Sequence, residues 1–229
     1  MKKVKCLLKS VLPCLAALFL TVIAYFAAFA LSVILGLTSV STVEGALVDE
    51  GLFNLLRFVM IIIFCGYLYS RKVEVKDSIK NGFKTLKQPK VIIPIVIIAI
   101  LLQIIVSLLI YILENMFHGI FTEYTHMETA LKLNRSIHYL IGTVIAGPIA
   151  EEMVFRGLTL KILREEFSYV IAIIIQALLF GVYHGNVIQF VYASLMGILF
   201  GFMVKKYDSI IPGIVMHAII NASFFFMPF

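Results

Sequence analysis

The sequence predicts an all-α protein, a polytopic membrane helical bundle of about seven (6–8) transmembrane helices. Of its 229 residues, 62% are hydrophobic and only 14% are charged, whereas soluble domains average roughly 45–50% and about 25%. A soluble fold of this size has too much surface for its volume to bury that excess. Lipid must cover it, which excludes a soluble enzyme and a nucleic-acid-binding domain. Three cysteines without a CxxC spacing, Cys6, Cys14 and Cys65, favour neither a disulfide framework nor a thiolate metal site.

Uncharged stretches locate the spans, because a helix of about 20 apolar residues crosses the hydrocarbon core. The predicted spans are residues 11–37, 51–70 and 91–113, a fourth from about 138, then 169–184, 187–204 and 210–229. The 38 uncharged residues between Glu166 and Lys205 are too many for one span, and His184-Gly185-Asn186 divides them into two. The chain is therefore predicted to comprise N-terminal helices and loops over 1–137, with about three spans, and a catalytic helical core over 138–229.

The basic residues predict the orientation of the bundle. Sixteen of the nineteen lie on one side of the predicted spans, two (Lys132 and Arg135) lie on the other, and Arg57 lies within the second span. Cytoplasmic loops carry the excess of Lys and Arg, so we expect an integral membrane protein with a cytoplasmic N-terminus. The short, loop-poor chain favours the bacterial cell membrane. Segment 71–90 forms either a cationic strip beside anionic lipid or simply a topology signal.

Polar residues inside the predicted spans carry the functional information, because a charged group is costly to place in hydrocarbon. Six of them lie in the late spans: Glu151, Glu152, Arg156, His184, His217 and Asn221. Glu152 and Arg156 are four residues apart, which predicts an ion pair on one helical face, and Glu151 is rotated away from Glu152 by about 100°. Pro148 is expected to kink the fourth span.

A carboxylate, two imidazoles and an amide can together hydrolyse a bond. The carboxylate can take a proton from water, the imidazoles can position that water or bind a metal, and the amide can stabilise an oxyanion. Each residue also has a structural alternative. An intramembrane histidine is about as often a partner in an interhelical hydrogen bond as a catalytic residue, and the Glu152–Arg156 pair can be purely structural. The joint occurrence of all six favours a site.

Three motifs occur in order on the late spans, namely EExxFR at Glu151–Arg156, FxxxH at Phe180–His184 and HxxxN at His217–Asn221. Together they resemble the CPBP family of intramembrane proteases, which includes the type II CAAX prenyl endopeptidases and bacterial proteins linked to bacteriocin processing and self-immunity. The resemblance covers about 138–225. It implies a CAAX-type intramembrane endopeptidase, usually labelled a metalloprotease, whose partners are membrane lipids and a peptide or membrane-protein substrate.

The resemblance also implies roles for the residues. Glu151 would activate the attacking water with His184 helping to hold it, and His217 and Asn221 would complete the site by ligating a metal or stabilising the oxyanion. The supporting residues would be Glu152, Arg156 and Phe180. Two mechanisms are open, because the sequence has no HExxH motif. One uses a zinc ion held by His184, His217 and Glu151, and the other uses the glutamate without a metal. The residue types favour Glu151 as the base, since an amide is a poor third ligand for zinc.

Two functions of other classes are also open. Buried Glu, His and Arg occur in proton-coupled transporters, although the spans show none of the repeated halves common in that class. A bacteriocin-immunity protein that only binds a toxin would use the polar cluster to hold its helices together. Loss of activity in Glu151→Gln with normal membrane expression would distinguish a protease from a binding protein.

Overall fold

The computed structural model describes residues 2–35, 50–70, 73–116 and 137–226, and these ranges contain helices and short turns without strands. The helices are α1 (Lys2–Ile34), α2 (Glu50–Ser70), α3 (Val73–Leu86), α4 (Pro89–Met116), α5 (residues 137–163), α6 (Tyr169–Tyr183), α7 (Val187–Tyr207) and α8 (Ile211–Phe226). The predicted all-α class is confirmed. Lys132 and Arg135, the two basic residues predicted on the outer side, lie outside the described residues.

The helices form a membrane bundle whose exterior is apolar. By length and composition, three of the described helices could cross a membrane (Lys2–Ile34, Pro89–Ile112, Val187–Tyr207), and shorter apolar stretches cover Leu52–Leu68, Tyr169–Tyr183 and Ile211–Ser223. Phe19, Ile63 and Ile105 are more than half exposed, whereas Glu152 and Arg156 are buried. Apolar side chains on the exterior and charged side chains in the interior are typical of a protein in the hydrocarbon core of a bilayer. The chain is an integral membrane protein.

The helix ends differ from the predicted spans. Helix α1 begins at Lys2 rather than near residue 11, and α7 continues to Tyr207 rather than ending at 204. An uncharged stretch marks only the part of a helix that can lie in hydrocarbon, whereas lysine-bearing turns can continue the same helix into the headgroup region. For the same reason the helix α3 was not predicted within the cationic segment 71–90.

Helix α5 is continuous but irregular. Two π-helical segments, Ile141–Ala146 and Met153–Thr159, lie on either side of the α-helical turn Gly147–Glu152. The first π segment ends with a hydrogen bond from the Gly147 N–H to the Gly142 carbonyl, directly before Pro148. Such segments carry an extra residue in a helical turn and are frequent at functional sites. The irregularity expected at Pro148 therefore takes the form of a π segment that precedes it.

Helices α6 and α7 form a hairpin around the break predicted at His184-Gly185-Asn186. Gly185 has a φ of 69°, a conformation that favours glycine. The Asn186 side chain then caps α7 by accepting hydrogen bonds from the N–H groups of Ile188 and Gln189, at 2.8 and 3.2 Å. The break was predicted correctly, and it places His184 directly after the last residue of α6, in the turn of the hairpin.

Helices α5 and α8 occupy the centre of the bundle. Helices α1 and α2 pack against the π segments of α5, while α8 packs against α4, α7 and the middle of α5. This packing brings the central turn of α5 beside α8. The division of the chain at 137/138 stays a prediction.

Candidate active site

The polar residues predicted from the sequence meet where α5, α8 and the end of α6 come together. The central turn of α5 ends with Glu151 and Glu152, His184 follows α6, and His217 and Asn221 lie on α8. Three helices thus contribute one cluster on the inside of the bundle. Its contacts define what each side chain can do.

The predicted ion pair between Glu152 and Arg156 is present. The Oε1 atom of Glu152 lies 3.0 Å from a terminal guanidinium nitrogen of Arg156, and both side chains are completely buried. The guanidinium lies between two rings, with its carbon 4.4 Å from the centroid of Phe180 and 5.0 Å from that of Phe200. Ring faces attract a desolvated cation, so the two phenylalanines compensate part of the cost of burying Arg156.

His217 bridges the two glutamates. Its Nδ1 atom lies 3.3 Å from Oε1 of Glu152, and its Nε2 atom lies 3.7 Å from Oε2 of Glu151. Phe200 stacks on the imidazole with a centroid distance of 5.0 Å, and Phe180 meets the imidazole edge to face at 5.9 Å. Because a carboxylate oxygen only accepts, Nδ1 of His217 donates to Glu152. The other ring nitrogen is thereby directed at Glu151.

The ring of His184 is fixed by its own helix. Its Nδ1 atom lies 2.8 Å from the carbonyl oxygen of Phe180. A carbonyl only accepts, so Nδ1 carries the proton and Nε2 presents a lone pair. The Phe180 ring meets the imidazole edge to face at 4.8 Å. The same Phe180 ring also contacts His217, which connects His184 to the cluster.

Asn221 connects α8 to the irregular part of α5. Its side-chain amide donates to the backbone carbonyl of Thr143 at 2.9 Å. Thr143 lies in the first π segment, where the widened turn changes the direction of the backbone carbonyls. In this structure the amide of Asn221 therefore holds α8 against α5, one helical turn beyond His217.

The two glutamates of the EExxFR motif have different environments. The Glu152 side chain is completely buried, whereas 12% of the Glu151 side chain is exposed. Glu152 also has a permanent cation, Arg156, as its partner. Of the two carboxylates, only that of Glu151 is therefore partly accessible from outside the protein.

Of the three predicted zinc ligands His184, His217 and Glu151, two are in contact with each other. Nε2 of His217 and Oε2 of Glu151, 3.7 Å apart, are close enough to be two ligands of one ion. A catalytic zinc needs three protein ligands at about 2.0–2.2 Å, and no three His, Cys, Asp or Glu side chains are so placed in the part of the chain that the structure describes. The contact with the Phe180 carbonyl leaves Nε2 of His184 as the ring nitrogen that could bind a metal or water.

Two residues of the cluster were not predicted. Phe200 on α7 contacts both Arg156 and His217, yet in the sequence it resembles any lipid-facing phenylalanine. Gly213 on α8 lies so close to the carboxylate of Glu152 that an added Cβ would be 3.1 Å from Oε2. Only the packing of α7 and α8 on α5 reveals these contacts, although the position of Gly213 four residues before His217, on the same helical face, was a signal in the sequence.

Comparisons with known proteins find similarity over the part of the chain that contains this cluster. Residues 133–223 match the family described as "Type II CAAX prenyl endopeptidase Rce1-like", and this range includes every side chain of the cluster. The chain is 26% identical over 183 residues to "Putative membrane peptidase YdiL" of Bacillus subtilis (strain 168), an alignment covering 79% of this chain and 72% of that protein. No solved structure matches the chain.

Proposed function

We propose that this chain, whose residues 133–223 match the Rce1-like type II CAAX prenyl endopeptidase family, is an intramembrane protease of the CPBP family that hydrolyses peptide bonds with water activated by Glu151. The observation that carries this proposal is the different exposure of the two adjacent glutamates, with His217 between them. The sealed Glu152–Arg156 pair supports the helix and the imidazole. The partly exposed Glu151 is left free to act on water.

The contacts support specific roles for the protons. As a general base, Glu151 must begin ionised, and a carboxylate beside a ring nitrogen is favoured when that nitrogen carries a proton. With Nδ1 already donating to Glu152, His217 is then an imidazolium. The cluster of Glu151, Glu152, Arg156 and His217 is neutral in this state, which lowers the cost of keeping it inside the membrane.

The reaction then follows from these positions. Water, held by the lone pair on Nε2 of His184, gives one proton to Glu151 while its oxygen attacks the carbonyl carbon of the peptide. The imidazolium of His217 stabilises the negative charge that develops on the carbonyl oxygen. Glu151 next transfers its proton to the leaving nitrogen, the C–N bond breaks, and the carboxylate is restored. Asn221 keeps His217 in place through Thr143.

We extend the proposal to the substrate and the location. A site inside an apolar bundle suits a peptide that is itself in the membrane, or a C-terminal peptide end that can enter from one side. A bacterial peptide or bacteriocin precursor, or a membrane protein, fits this description, as the resemblance to the family suggests. The similarity to a protein of Bacillus supports the bacterial cell membrane as the location.

Metal removal tests the proposed chemistry. We expect the purified protein to keep cleaving its peptide after exhaustive chelation, because the described cluster offers a base and a water position without a third ligand. The measurement is the cleavage rate before and after chelation, with metal content determined in the same samples. Stoichiometric zinc that is lost in both His184→Ala and His217→Ala, with activity restored only by metal, would refute the metal-free mechanism.

Cysteine labelling tests the proposed orientation. The native residues Cys6, Cys14 and Cys65 are buried, so a membrane-impermeant maleimide should react mainly with an introduced cysteine. We expect Lys80→Cys to react only in inverted vesicles and Glu123→Cys only in intact cells, in agreement with the distribution of basic residues. Reaction of both variants from the same side would contradict the predicted orientation with a cytoplasmic N-terminus.

A further inference from the structure

Helix α3 lies at the end of the bundle where α8 begins, and it contacts that end closely. Gly82 is buried against Ser209 and Ile211, so closely that an added Cβ would be 2.8 Å from the Cβ of Ile211. Leu86, one turn further on, packs against the cluster that includes Met216 of α8. One face of α3 is thus held by the turn before α8 and by α8 itself.

The next face of α3 is apolar and exposed. Ile79 is 37% exposed and Phe83, one turn later, is 56% exposed. With 3.6 residues per turn, these two side chains form a stripe that borders the face of Gly82 and Leu86. In an aqueous setting this stripe would expose apolar area to water, and its place at the end of a membrane bundle gives it access to acyl chains.

The face on the other side of this stripe is cationic. Lys80 and Lys84 lie there and are exposed, and Lys87 and Lys90 follow as exposed residues in the next turns. The acidic residues of α3, Glu74 and Asp77, both come before Ile79. From Ile79 to Lys90 the chain therefore carries only positive charge. Lys205 and Lys206, exposed at the end of α7, precede the turn that contacts Gly82.

We propose that α3 is an interfacial helix that binds the headgroups of anionic phospholipids. The order of its faces is the one that such a helix requires: a packed face, then an apolar stripe that enters the acyl-chain boundary, then lysines at the level of the phosphates. Each lysine near an anionic surface adds attraction to the headgroups. Charge complementarity thus selects an anionic over a zwitterionic lipid, and the bound lipid braces the start of the helix that carries His217.

The protein contains no tryptophan, which permits a direct test. In Phe83→Trp the single tryptophan reports on lipid at α3, and brominated acyl chains quench its fluorescence on contact. We expect brominated phosphatidylglycerol to quench it at a mole fraction roughly tenfold lower than brominated phosphatidylcholine, since each lysine contributes attraction to the anionic headgroup. In the background of Lys80→Gln, Lys84→Gln and Lys87→Gln, the two lipids should quench equally.

Two controls make the outcome decisive. Phe19→Trp, on a lipid-facing position of α1 that is 65% exposed, should be quenched equally by both lipids. Lys2→Gln, Lys3→Gln and Lys5→Gln, which remove the same charge from the start of α1, should leave the lipid selectivity of the Phe83→Trp protein unchanged. Absence of quenching in Phe83→Trp, or equal quenching by both lipids with all lysines present, would overturn the proposal. No arm of this experiment requires peptide hydrolysis, so its outcome is independent of the proposed protease activity.

Discussion

Glu151→Gln should abolish peptide hydrolysis while the protein remains folded in the membrane. The amide has nearly the same shape as the carboxylate but cannot take a proton from water, and loss of a general base costs about 10²–10⁴-fold in rate. Because 12% of the Glu151 side chain is exposed and its contact with His217 is a long 3.7 Å, we expect little loss of stability. The measurement is the cleavage rate per amount of purified protein.

A matched variant separates this effect from a general effect of charge. Glu165→Gln removes an exposed glutamate after α5 and should leave the rate unchanged. A Glu151→Gln protein with full peptidase activity would refute the proposed base. A proton-coupled transporter would be distinguished because it would move its solute without cleaving a peptide, and a toxin-binding immunity protein because Glu151→Gln would still protect cells.

Arg156→Ala should lower the yield of folded protein as well as its activity. The substitution leaves Glu152 as a completely buried charge without its permanent cation, and breaking such a pair costs about 3–5 kcal/mol. It also removes the group that fills the space between Phe180 and Phe200. Yield after detergent extraction and the midpoint of thermal unfolding measure this loss.

Replacement of both partners should recover the yield in part. In Glu152→Gln with Arg156→Gln no uncompensated charge remains, so expression should exceed that of either single variant. Activity should stay low in the double variant, because Nδ1 of His217 then contacts a neutral amide instead of a carboxylate. A double variant that is expressed no better than the single ones would show that the two side chains do not interact energetically.

Part of this site follows from the sequence alone because it depends on short-range rules. The Glu152–Arg156 pair follows from a spacing of four residues within one helix, and the break at Gly185 follows from a glycine beside a capping asparagine. The motifs identify Glu151, His184 and His217 as one group. In each case the information lies within a few residues of the chain.

The remainder depends on contacts between helices, which no local pattern encodes. That His217 bridges both glutamates, and that Phe200 stacks on it, requires the packing of α8 between α5 and α7. The metal ligand set was proposed from residue types and stays a prediction, whereas the orientation of the His184 ring depends on a backbone carbonyl that no motif identifies. The π segments were equally unpredictable, because the energy difference between a π and an α turn is decided by the neighbouring helices.

The two π segments of α5 make the length of this helix a functional property. Each segment accommodates an extra residue in a turn of the helix, so the chain on either side is offset in rotation from a regular helix. Conversion of Ile141–Ala146 to α geometry with all its residues retained would turn everything upstream by about 100° relative to the glutamate turn. Thr143 and Asn221 would then separate, although no side chain of the cluster had been altered. The orientation of the site thus depends on the number of residues in α5 and on the turns that accommodate them, as well as on the types of those residues.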